Sequence, residues 1–103
     1  MTTPLTVTAG RLPDGTRVLT AVGEIDMSNT DTLAAALDGV RDRLVVDLTQ
    51  VEYLDSAGLN ILFSHADHIE LILGELLSPV VTVSGLAALV TVDVVDNPAD
   101  PAP

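Results

Sequence analysis

The chain has no cysteine and no tryptophan, and its 103 residues include one tyrosine, Tyr53, and one phenylalanine, Phe63. Without cysteine, neither a disulfide nor a thiolate metal site is possible. Without aromatic bulk, the core must be assembled from Val, Leu, Ile and Ala, which the 48% hydrophobic content supplies. Positive charge is equally scarce. Besides two histidines the only cations are Arg11, Arg17, Arg41 and Arg43, against 15 Asp and Glu, for a formal net charge of −11. A surface this acidic repels nucleic-acid phosphates and anionic lipid headgroups, so neither nucleic acid nor membrane is an expected partner. The surplus serves solubility, and it also suits a protein partner with a basic docking face. No apolar run is long enough to span a bilayer. The first residues show neither the positive nor the apolar region of a signal peptide, so the expected compartment is the cytoplasm. The length predicts one domain around one core.

What is present has a clear order. Leu5-Thr6-Val7-Thr8-Ala9 alternates apolar residues with threonine, the pattern of a half-buried edge strand. Leu12-Pro13-Asp14-Gly15-Thr16 carries turn chemistry and predicts a hairpin into a strand over Arg17–Ile25. Asp26-Met27-Ser28-Asn29-Thr30-Asp31 reads as a helix start, with Ser28 as the cap and Asp31 adding negative charge at the positive end of the helix dipole. Leu33, Ala34, Leu37 and Val40 then share one face at helical spacing, and Gly39 with Arg41-Asp42-Arg43 marks the end. Leu44-Val45-Val46-Asp47-Leu48 is nearly continuous and β-branched, as in a parallel strand covered on both faces. A helix is expected from Ala57 to Asp67 and a strand over Ile69–Leu73. Ser78-Pro79 can open a third, short helix, yet Val80-Val81-Thr82-Val83 prefers strand. Gly85 ends that element, and Leu89–Val95 reads as the last strand. Asn97–Pro103 is rich in proline and predicts a disordered tail. The sum is an α/β domain: a mixed sheet of about five strands, an N-terminal hairpin followed by parallel βαβ units, two clear helices, and a third short segment open to both readings.

The chemistry concentrates at Asp55-Ser56-Ala57-Gly58-Leu59. An acid, a hydroxyl, a small residue and a glycine stand between an apolar strand and a helix. Ser56 therefore sits at a turn beside the free backbone N–H groups of a helix's first turn, a place that suits an anion. Ser56 is also a natural helix cap. Asp55 can orient the Ser56 hydroxyl or stabilise the turn as an Asx residue. Gly58 permits a close approach. His65, Asp67, His68 and Glu70 contain residue types that ligate zinc, but polar clusters at helix ends are usually solvated. A Ser-His-Asp hydrolase is disfavoured, because a helix of about ten residues, roughly 15 Å, separates Ser56 from the histidines. Tyr53 and Phe63 are expected in or near the core.

Two stretches together resemble one family. Gly23-Glu24-Ile25-Asp26, followed by a helix, resembles the G-E-[LI]-D segment of STAS domains. Val45-Val46-Asp47-Leu48-Thr49-Gln50-Val51, followed by Tyr53-Leu54-Asp55-Ser56-Ala57-Gly58-Leu59, resembles their central strand and D-S-x-G-L motif. The clear match spans residues 18 to 63, and Ser84-Gly85-Leu86 is similar to the family's late S-G-L. The nearest branch is the bacterial anti-sigma-factor antagonists. The resemblance implies a single STAS-like domain over residues 1–96, with 97–103 as its tail. It implies a regulatory protein rather than an enzyme, with no cofactor and no metal. Such a protein binds an anti-sigma factor with serine kinase activity when unphosphorylated and releases it when phosphorylated, which frees a sigma factor for transcription. Carried to this chain, the phosphorylated residue is Ser56. Asp26, Asp55, Ala57, Gly58 and Leu59 are the supporting and partner-binding residues. A phosphatase and other STAS proteins are the further partners implied. The segments after Gly58 and near the C-terminus are each about one helical turn shorter than the family's. A STAS scaffold that no longer switches is therefore the alternative, and a small metal-binding or serine-dependent enzyme is a second.

Overall fold

The computed structural model describes residues 4–40 and 42–95. The tail expected over 97–103 and the expected helix-end role of Arg41 lie outside the described residues. The elements in chain order are β1 (Thr6–Arg11), β2 (Arg17–Ile25), α1 (Thr30–Asp38), β3 (Leu44–Leu54), α2 (Ser56–Ser64), β4 (Ile69–Leu73), α3 (Ser78–Ser84), a short 3-10 turn (Leu86–Ala88) and β5 (Thr91–Val94). They form one five-stranded sheet in the order β1-β2-β3-β4-β5. β1 and β2 are antiparallel, Thr6 opposite Val22 and Arg11 opposite Arg17. The β2–β3, β3–β4 and β4–β5 pairs are parallel. The hairpin turn closes through Leu12 N–H to Thr16 O at 2.8 Å and Gly15 N–H to Leu12 O at 2.9 Å.

The helices cover one face of this sheet. Leu33 and Leu37 of α1, Leu62 of α2, Val81 of α3 and Leu86 join a single core with Leu19, Ala21, Ile25, Leu44, Val46, Leu48 and Leu71. Strand side chains alternate between faces, and these strand residues are the ones pointing toward the helices. The opposite face carries Val18, Thr20, Val22, Val45 and Asp47, of which Val22 is exposed and Val45 is buried without belonging to the core cluster. Aliphatic side chains alone fill the interior, as the missing aromatics demand. Phe63 only packs against the rim of the core.

Two elements differ from what local pattern predicts. β3 does not stop near Leu48 but runs eleven residues to Leu54. Its second half, Gln50 to Leu54, pairs with Val22 to Ile25 after register shifts in the β2–β3 ladder. Thr49, Gln50 and Glu52 disguise that half because one side of the strand there is not covered, so polar residues are tolerated. The Val80–Val83 segment is helix, not strand. β4 and β5 are parallel, and a parallel pair needs a crossover of a dozen or more residues. Ser78–Ser84 lies in that crossover. Leu77 and Val81, one turn apart, put their side chains into the core, and this burial outweighs the modest helix penalty of valine. Gly85 ends α3 at φ +90°, a left-handed angle that costs glycine nothing.

Candidate functional site

β3 ends at Leu54 and α2 begins at Ser56, so the single residue between them, Asp55, directs the chain from sheet to helix. Its backbone is extended, and its Oδ1 accepts the Gly58 N–H at 3.0 Å as the cap of α2. Its Oδ2 accepts the Met27 N–H at 3.1 Å from the loop after β2. Its own N–H donates to Ile25 O at 3.2 Å. One carboxylate thus ties the start of α2 to the β2–α1 loop. The helix cap is therefore Asp55 and not Ser56, because the extended residue immediately before the first helical N–H groups is the one whose side chain can reach them. Ser56 is exposed, and among the described residues no hydrogen-bond partner holds its hydroxyl.

The β2–α1 loop has its own scaffold. Asp26 Oδ1 accepts the Ser28 N–H at 2.9 Å and also the Ser28 hydroxyl. These bonds hold the Asp26 carboxyl below its ordinary carboxylate value, the Ser28 hydroxyl foremost. Asn29 reaches backward: its Nδ2 donates to Glu24 O at 2.8 Å and its Oδ1 accepts the Asp26 N–H at 3.1 Å. Ser28 is consequently not the cap of α1. Asn29 occupies that position, and its side chain is spent on the loop rather than on the helix. Sequence reasoning passed over Asn29. Its signal was an Asx side chain inside a turn cluster, able to mimic backbone groups.

Of the remaining expected site residues, Ala57 and Leu59 are half-buried and Gly58 is buried. A Cβ on Gly58 would lie 2.6 Å from both Ile25 Cγ2 and Leu54 Cδ1. The close approach is to the two strand-end side chains beneath the helix, and it seats α2 low on the sheet. Tyr53, expected near the core, is instead 50% exposed, and Met27 is 79% exposed. Tyr53 lies opposite Glu24 just past a register shift in the β2–β3 ladder.

Charge is distributed unevenly over the two ends of the sheet. Arg17 opens β2 and is paired with Arg11. Arg43 immediately precedes β3 and is ion-paired with Glu70, which lies near the start of β4. His68 O accepts the Leu44 N–H at 3.0 Å, and His65 closes α2. All of these lie where the parallel strands begin. Two clefts of about 400 and 410 Å³ lie there too, one beside Arg43 and His68, the other beside Arg11 and Arg17. Ser56 lies where the strands finish. Glu24, Asp26, Glu52 and Asp55 gather at that end, and among the described residues no Arg or His joins them.

The histidines serve the opposite end. His65 Nδ1 faces Ile61 O at 2.9 Å and Nε2 faces Asp38 Oδ1 at 2.8 Å, which links the C-terminal ends of α1 and α2. Burial disfavours the imidazolium, but the Ile61 carbonyl, Asp38 and Asp67 together outweigh it and raise the pKa above the ordinary 6.5. Both ring nitrogens meet acceptors, which only the doubly protonated ring satisfies. The stabilisation is therefore complete below pH 6.5 and is lost as pH rises through the higher folded value. The protein should melt higher at mildly acid than at mildly alkaline pH, by less than about 1 kcal/mol since Asp38 is exposed. In Asp38→Asn that pH dependence should shrink, which thermal melts across the pH range will read. Among the described residues no three His, Asp or Glu side chains gather as metal ligands, and the helix length separates Ser56 from His65.

The family model for the Mlab-type STAS domain matches residues 9–71, from β1 through the Ser56 turn into β4. The chain belongs to the STAS domain family. A solved STAS-like relative, an anti-sigma factor antagonist from Mycobacterium paratuberculosis, superposes with a TM-score of 0.80 at 26% identity, covering 87% of this chain and 86% of that one. An antisigma-factor antagonist STAS domain from Rhodobacter sphaeroides superposes at 0.51 with 19% identity over 67% of this chain and 84% of that one. A protein with a SpoIIAA-like fold from Shewanella loihica does so at 0.58 with 17% identity, over 90% and 86%. The last two show the shared fold alone. No curated protein shows significant sequence similarity to the chain. The α/β architecture with a mixed five-stranded sheet is thus that of a STAS domain, as the Gly23-Glu24-Ile25-Asp26 and Asp55-Ser56-Ala57-Gly58-Leu59 motifs imply. Among the described residues no helix is long and apolar enough to cross a membrane.

Proposed function

We propose that this STAS domain is an anti-sigma-factor antagonist switched by phosphorylation of Ser56. The observation that carries the reading is the free hydroxyl. Ser56 is exposed, stands at the first position of α2, and is relieved of capping by Asp55. A kinase-type anti-sigma factor docked on this end can bring the γ-phosphate of ATP to Ser56 Oγ. The new bond joins Oγ to phosphorus, the bond to the ADP oxygen breaks, and the serine proton leaves to a base.

The product carries about −1.5 to −2 charges at neutral pH. The amide groups at the start of α2 favour it in part. Neighbouring Asp26 and Asp55 oppose it, and no arginine among the described residues at that end is available to clamp it. The phosphate therefore stays at the surface rather than reorganising the fold. In the docked complex it faces the partner's anionic nucleotide, so charge and bulk both favour release. A phosphatase returns the domain to its binding form. The surrounding carboxylates make a basic docking face on the partner the complementary one.

The test is direct. Intact mass after incubation with the kinase-type partner and ATP should show one phosphate on the wild type and none on Ser56→Ala. Ser56→Glu should bind the partner at least about tenfold more weakly than Ser56→Ala, a difference of roughly 1.4 kcal/mol. Equal binding of the two variants, or phosphate on Thr49 or Ser64, refutes the switch.

A further inference from the structure

We infer that Met27 and Tyr53 are the apolar anchors of the docking surface around Ser56, received by an apolar pocket with a basic rim on the partner protein. The inference rests on the proposed function and names the contacts that would hold that partner. Several large hydrophobic side chains are exposed, Leu12, Leu76 and Leu89 among them, but Met27 and Tyr53 are the ones tied closely to the Asp55–Ser56 turn. Phe63 packs against the core, while Tyr53 and Met27 are left 50% and 79% exposed. Neither is needed to fill the interior. Both stand at the Ser56 end, and both are placed by defined bonds rather than by loose loops. The Met27 N–H is fixed to Asp55 Oδ2 at 3.1 Å, one residue from Ser56. Tyr53 is held in the ladder opposite Glu24, two residues before Asp55.

The residue types suit that task. Tyr offers contact area at little entropic cost and a polar tip for the rim. Met adapts to an irregular pocket. The charges around them choose the partner. Glu24 lies opposite Tyr53 in the ladder, Asp55 accepts the Met27 N–H, and Asp26 and Glu52 are their chain neighbours, so an anionic membrane is repelled. A second copy would set identical carboxylates against each other. A protein with basic groups about an apolar pocket is the occupant that satisfies both the apolar and the acidic parts.

The experiment measures binding of a purified kinase-type anti-sigma factor by calorimetry to wild type, Met27→Ala, Tyr53→Ala, Ser56→Glu and Val83→Ala. Val83 is 87% exposed on α3 and serves as the control apolar truncation. Met27→Ala and Tyr53→Ala should each weaken binding at least about tenfold with unchanged melting temperature, and Val83→Ala should bind as wild type. If both anchor variants bind within about twofold of wild type while Ser56→Glu is released, the anchors are wrong and the switch stands. If the anchor variants lose binding and Ser56→Glu does not, the anchors stand and the switch is wrong. A wild type that binds no such partner overturns both.

Discussion

Asp55→Ala should lower the stability of the domain by about 2 kcal/mol, the largest loss expected from any single change at the site. Two separate bonds vanish with the carboxylate. Losing the cap on Gly58 N–H costs about 1 kcal/mol in typical helices. Losing the acceptor for Met27 N–H costs a similar amount, since a hydrogen bond to a charged group is worth roughly 1.5–3 kcal/mol when buried and this loop is open to water. For a domain of this size the melting temperature should fall by about 8–16 °C. Asp55→Asn separates the two contributions. Its remaining oxygen can still cap α2, but its amide NH2 cannot accept the Met27 N–H, so it should fall about halfway. A melting temperature for Asp55→Ala within about 2 °C of wild type would mean that the carboxylate does not join the loop to the helix.

Gly58→Ala should also destabilise, against the direction that helix propensity alone gives. Alanine in place of glycine normally favours a helix by about 1 kcal/mol. Here the added Cβ would meet Ile25 Cγ2 and Leu54 Cδ1 at 2.6 Å, about 1 Å inside ordinary contact distance. Ile25 is 0% and Leu54 5% exposed, so neither methyl can swing into solvent. The helix must lift or the core must yield, at about 1–3 kcal/mol for overpacking. Above the low end of that range the overpacking outweighs the propensity gain, for a net loss of up to about 2 kcal/mol, read by urea denaturation. The same lift displaces Asp55 and Ser56, so Gly58→Ala should weaken partner binding in proportion. A variant as stable as wild type would show that α2 does not sit as low on β2 and β3 as described.

The two motifs, the hairpin, α1 and β4 could be read from sequence because each has an unbroken pattern of its own. Elsewhere the deciding fact lay in another part of the chain. The Val80–Val83 segment reads as strand until β4 and β5 are known to be parallel. The apolar run that marks β3 stops at Leu48, and the rest of the strand carries no such pattern because one side of it is uncovered. Asp55 and Ser56 are both good caps by composition, and only the extended backbone at Asp55 selects between them. Tyr53 is aromatic and so reads as interior. Met27 sits in the polar cluster that opens α1, and nothing in the one-dimensional pattern joins it to Tyr53. The distribution of charge was equally hidden. Arg17 and Glu24 lie in one strand, and they separate only because β2 spans the full height of the sheet.

All the described arginines stand at the strand-start end, where they partly offset Asp14, Asp38, Asp67 and Glu70, so the molecule's negative charge is weighted toward the Ser56 end. A positively charged surface approaching from any direction exerts a torque on the molecule and turns the Ser56 end forward before contact. Fewer encounters are then wasted on the wrong face, and dissolved ions erase this gain as they shorten the range of the field.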